Sequence, residues 1–96
     1  MLARRLRVDF TQRAAREYLK GLLYVAADDL STATLIQDRI ESALARIPRQ
    51  PHIGRPGLVP GTREFPIGKT SYTIVYRVRA NAIQILRVLH QRRRYP

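Results

Sequence analysis

Cysteine and tryptophan are absent from this 96-residue chain, and only seven side chains carry a negative charge. Without cysteine there is no disulfide, no thiolate nucleophile and no cysteine-based zinc site. A chain this short then supports its core without a covalent staple, so a folded partner can matter for stability. The composition suits a reducing compartment. Two histidines alone make a poor ligand set, so neither a metal nor another cofactor is expected. Long apolar runs are missing too: the longest, Leu22 to Ala27, is far too short to span a bilayer. Met1 to Arg7 has the charge of a signal segment but no apolar stretch behind it. The expectation is one soluble, cytoplasmic domain over residues 1–96, with no membrane partner.

What is present is positive charge: 18 Lys and Arg against 7 Asp and Glu, a net +11. Residues 11–47 hold five basic and five acidic groups, whereas residues 48–96 hold ten basic groups and one Glu, a net +9. Such asymmetry predicts attraction to a polyanion, meaning nucleic acid, an acidic protein or an anionic membrane. The five Tyr and two Phe are spread evenly and mark no stacking platform. Gly54 to Gly61 follows a helix pattern and is broken by Pro56 and Pro60, which rules it out as a phosphate loop.

Periodicity supplies the elements. Leu6, Val8 and Phe10 alternate with charged residues, as in a half-buried strand. Thr11 caps a first helix whose apolar stripe reads Ala15, Tyr18, Leu19, Leu22 and Ala26. Asp28-Asp29-Leu30 breaks the pattern, and Ser31 caps a second helix carrying Ile36, Ile40, Leu44 and Ile47 until Pro48. The short connector makes an antiparallel hairpin. Residues 48–61, with four Pro and three Gly, form a loop.

Three strands follow, at Arg63 to Ile67, Tyr72 to Arg79 and Ala82 to Leu89. The last is apolar on both faces, with Ile83, Ile85 and Leu89 against Leu86 and Val88, and so belongs mid-sheet. The fold class is α+β: a strand, a helical hairpin, then a three-stranded antiparallel meander in one small curved sheet.

The succession Gly54-Arg55-Pro56-Gly57, Pro60-Gly61-Thr62-Arg63-Glu64, Ile74-Val75-Tyr76-Arg77-Val78 and Ile85-Leu86-Arg87-Val88-Leu89-His90 resembles the RelE/ParE superfamily of type II toxins, above all its ParE-like members. The resemblance covers essentially the whole chain and agrees with the strand and hairpin order. It implies a toxin held by an antitoxin encoded beside it, the pair contacting operator DNA only as a complex. Two activities occur on this fold: RelE-like members cut mRNA in the ribosomal A site, and ParE-like members inhibit DNA gyrase without hydrolysis. The net +9 of the sheet half favours the ribosome and mRNA as target, because phosphate contacts dominate nucleic-acid affinity. Gyrase inhibition is the alternative, since no Glu-plus-His pair or lysine cluster matches the catalytic sets of the RNA-cutting members.

Cleavage by a neighbouring 2′-hydroxyl needs a base, an acid and cations around one phosphate. The resemblance to enzymes that use Arg, Lys and a C-terminal Tyr marks Arg63, His90, Arg92 and Tyr95 as candidate catalytic residues. Lys69, Arg77, Arg79, Arg93 and Arg94 are candidates for binding RNA or another target. Each has a structural reading beside it. His90 can simply end its strand, Tyr95 can pack beside Phe65, and Arg87 can pair with a carboxylate such as Glu64. Arg92 to Arg94 can be a solvated tail or an anchor for an acidic antitoxin, and His52 an exposed turn residue.

Overall fold

A computed structural model describes residues 6–90. Strand β1 (Arg7–Phe10) leads into helix α1 (Gln12–Asp28), then α2 (Leu30–Arg46), then β2 (Arg55–Pro56), β3 (Arg63–Pro66), β4 (Tyr72–Val78) and β5 (Ala82–His90). One mixed sheet runs β1-β5-β4-β3-β2. The α+β class and the meander β3-β4-β5 are as the patterning predicts, and β5 lies inside the sheet between β1 and β4. Strand β1 runs parallel to β5, pairing Arg7 to Phe10 with Ala82 to Ile85.

The expected loop contains a further strand. Arg55 and Pro56 pair with Glu64 and Arg63, the Gly57 N–H donates to the Thr62 carbonyl at 2.8 Å, and Arg55 reaches Glu64 at 3.3 Å. Proline is tolerated there because β2 is an edge.

Both helix starts are capped locally. Thr11 accepts the Ala14 N–H at 3.0 Å. The second cap is Asp29, not Ser31: its carboxylate accepts the N–H groups of Ser31 and Thr32 and both their hydroxyls. Those bonds hold the Asp29 carboxyl below its usual range. On α2 the expected stripe holds, with Ile40, Leu44 and Ile47 buried. On α1 it holds in part: Tyr18, Leu22 and Ala26 are half-buried, but Ala15 and Leu19 are exposed, while Ala14 is buried and Gly21 and Val25 are half-buried instead. The buried face is rotated from the expected stripe by less than the ~100° of one residue.

Strand β5 carries a bulge. Tyr76 pairs with Ile85 but Val75 pairs with Arg87, leaving Leu86 as the extra residue. Residues opposite one another share a face. Val88 and His90 therefore join Ile83 and Ile85 on the row facing Tyr72, Ile74, Tyr76 and Val78, and Leu89 crosses to the other face with Arg87. The reading that grouped Leu89 with Ile85 fails because a bulge shifts every later residue by one. Ile40, Leu44 and Ile47 of the second helix join Ile74, Tyr76, Ile83, Ile85 and Val88 in one core.

Candidate functional site

Strand β1 ends where the bulge begins, and Thr11 binds the junction together. Its N–H donates to the Ile85 carbonyl at 3.0 Å and its hydroxyl to the Leu86 carbonyl at 3.3 Å. Beyond that point α1 takes over from β1 along β5. Glu17 accepts the Val88 N–H at 3.1 Å and a forked pair from Arg87, at 2.9 Å to Nε and 2.7 Å to Nη2. Arg87 is buried and paired with a carboxylate, but that partner is Glu17, 70 positions away, and not Glu64. Glu64 instead meets Arg55 and the Leu58 N–H.

This ion pair floors a cleft of about 470 Å³ between α1 and the end of β5. Arg13, Arg16, Lys20 and Tyr24 line it from the helix, and Tyr72 and His90 from the sheet. The Tyr72 and His90 rings meet edge-on, centroids 5.3 Å apart. Tyr72 lies so close to α1 that a Cβ at Gly21 would come within 2.8 Å of its hydroxyl. Glycine mid-helix normally weakens a helix; here it lets the tyrosine reach the helix backbone. The cationic surface thus includes the charge-balanced helical half, which sequence reasoning missed. The signal was the spacing of Arg13, Arg16, Lys20 and Tyr24, one helix face at i, i+3, i+7 and i+11.

The other candidates are dispersed. Arg63 points to the loop after α2, donating to the Gly54 carbonyl at 2.8 Å and the His52 carbonyl at 3.4 Å. Tyr76 works beside it: its hydroxyl donates to the Pro51 carbonyl at 2.8 Å and accepts the Gly54 N–H at 2.9 Å. Burial pushes that phenol above its ordinary pKa. Arg63 sits opposite Tyr76, while His90 sits opposite Tyr72, so the two are not brought together. Lys69 is exposed in the β3–β4 turn, where its φ is 60°, and Arg79 is exposed at the β4–β5 turn. Arg77, opposite Gln84 on the face away from the helices, has a buried Nε with no hydrogen-bond partner. His52 is exposed in its loop. Arg92, Arg93, Arg94 and Tyr95 lie outside the described residues.

Residues 8–95 match the model of the family described as the ParE toxin of the type II toxin-antitoxin system parDE. The chain belongs to the ParE toxin family. Among relatives, this toxin is 33% identical over 92 residues to the Sinorhizobium fredii protein Y4kP, covering 96% of this chain and 95% of that one. It is 29% identical over 80 residues to the toxin RelE1 of Caulobacter vibrioides, covering 81% and 85%. Solved structures share the fold as well. A chain of the chromosomal ParDE system from P. aeruginosa superposes with a TM-score of 0.79 at 22% identity, covering 88% of this chain and 95% of its own. A chain of the YoeB dimer from Staphylococcus aureus gives 0.61 at 23% identity, covering 96% and 100%. The chain is therefore a toxin of a type II toxin–antitoxin system in the RelE/ParE superfamily, and an antitoxin is its partner. Among the described residues no helix is long and apolar enough to cross a membrane.

Proposed function

We propose that this toxin arrests growth as a ParE-type inhibitor of DNA gyrase, without hydrolysing its target. The observation that carries the reading is the separation of Arg63 from His90. They stand opposite strand positions four residues apart, roughly 13 Å along β4. The Arg63 guanidinium is also engaged with loop carbonyls. An acid, a base and a phosphate clamp must converge within hydrogen-bond reach of one phosphate. The match to the ParE family model supports the same reading. In this proposal the toxin is one cytoplasmic domain without a cofactor, held by the antitoxin encoded beside it, and it meets operator DNA only within that complex.

Ribosome-associated mRNA cleavage is the second reading. It is favoured by the cationic cleft with His90 on its rim and by the net +9 of residues 48–96.

Pulse labelling after induction separates the two, alongside transcript integrity in His90→Ala and Tyr95→Phe variants. Gyrase inhibition is expected to halt DNA synthesis first, raise the SOS response and leave transcripts whole. Neither variant should then matter more than a neighbouring arginine. Early loss of protein synthesis with cut transcripts, silenced by His90→Ala or Tyr95→Phe, would overturn the gyrase reading. A positioned acid or base is typically worth about 10²–10⁴-fold.

A further inference from the structure

The cleft beside α1 carries cations and an aromatic ring on one helix face. Arg13, Arg16 and Lys20 line one wall, and the carboxylate among them, Glu17, is already engaged by Arg87 and Val88. Arg16 and Lys20 stand four residues apart, the spacing at which like charges repel along a helix. Tyr24 continues the same face one turn further and is 83% exposed, an aromatic ring held in water. We propose that this face of α1 is a binding site for single-stranded nucleic acid, with Arg16 and Lys20 on successive backbone phosphates and Tyr24 stacking on a base.

Cations that track a backbone beside an aromatic ring are the elements of sequence-tolerant strand binding. An acidic antitoxin segment is the competing occupant. Such an amphipathic segment wants an aliphatic stripe, and the apolar lining of this cleft is instead the aromatic rings of Tyr24 and Tyr72 with Val88. The apolar stripe of α1 lies elsewhere: Leu19 and Leu23 are 60% and 61% exposed and do not line the cleft. The charge and the aromatic ring therefore favour nucleic acid. The site stands independently of the gyrase reading, because a bare strand is the ligand in its test.

The full chain is titrated into fluorescein-labelled single strands of about twelve nucleotides, one DNA and one RNA of the same sequence. Anisotropy is followed between about 50 and 200 mM salt. Each phosphate contact on a single strand adds about 0.7 to the slope of log K against log salt. The Arg16→Gln/Lys20→Gln pair is expected to flatten that slope by about 1.4. Tyr24→Ala should weaken binding about tenfold with the slope unchanged, and its exposure leaves the fold intact. The Arg39→Gln/Arg46→Gln pair on α2 removes the same charge away from the cleft and should leave the slope near that of the wild type.

Equal affinity for DNA and RNA would assign the contact to the shared backbone; a tenfold RNA preference would assign it to strands bearing the 2′-hydroxyl. Equal effects of the α1 and α2 pairs, or no effect of Tyr24→Ala, would overturn the site. So would a polyglutamate peptide binding as tightly as the strands through the same residues, which would give the cleft to an acidic protein segment.

Discussion

Glu17 joins helix and sheet through one carboxylate, which serves the Arg87 guanidinium and the Val88 N–H together. Removing one member of a buried pair strands the other charge, at a typical cost of about 3–5 kcal/mol. Glu17→Ala is expected to lower the free energy of unfolding by that amount in urea titration. The Glu17→Leu/Arg87→Met pair should recover most of it, because apolar replacement of both partners is often close to neutral. Tyr76 makes a second test at this scale. Its hydroxyl holds the Pro51 carbonyl and the Gly54 N–H, and a Cβ at Gly54 would come within 2.8 Å of it. Tyr76→Phe leaves a buried N–H without its acceptor and is expected to cost about 1–3 kcal/mol, with the Arg63-bound loop loosening in hydrogen exchange.

The hairpin of α1 and α2 turns on a single residue. Asp29 ends one helix and caps the next, accepting two N–H and two hydroxyl hydrogen bonds. These bonds lower its carboxyl pKa in the folded state. A depressed acid stabilises fully above its unfolded value, near 3.9, and loses that contribution as pH falls through the folded value. Asp29→Ala should therefore melt lower than the wild type at neutral pH. The gap in Tm should close as acid protonates the wild-type cap; a gap that persists unchanged below the folded value would discount the charge. Packing rather than capping decides α2. Leu44 is buried in the common core with Ile40 and Ile74, so Leu44→Ala is expected to cost about 2–5 kcal/mol. Toxicity should then fail through unfolding, visible as lost helical circular dichroism.

At the scale of the whole molecule, a net charge of +11 on 96 residues favours an acidic partner whose charges steer association. Co-expression with the adjacent antitoxin gene is expected to restore growth and yield a complex stable to purification. Growth unaffected by the toxin alone, with the protein confirmed as folded, would count against an active toxin. The exposed Leu19, Leu23, Leu30 and Leu35 of the hairpin make further apolar surface available to a partner.

Local rules made the elements legible: Thr11 as a cap, the stripe of Ile40, Leu44 and Ile47, and the strands around Tyr72 to Val78 and Ala82 to His90. The superfamily was legible as well, because its motifs lie in order along the chain. Tertiary contact decided the rest. The α1 stripe was legible only in part, in Tyr18, Leu22 and Ala26, since alanines and leucines surround the helix and the sheet, with Tyr72 against Gly21, selected which side to bury. The bulge at Leu86 was hidden because β5 is apolar on both faces, so either register satisfies the pattern. Glu17 and Arg87 are 70 positions apart, and no periodicity links an exposed-looking helical Glu to a strand Arg. The cleft exists only once the fold places α1 beside the end of β5. The sequence determined which segments become helix or strand, since that follows from spacing and caps within a few residues. Only the packing of those segments decided which charges meet, because that depends on the side each element turns to the others.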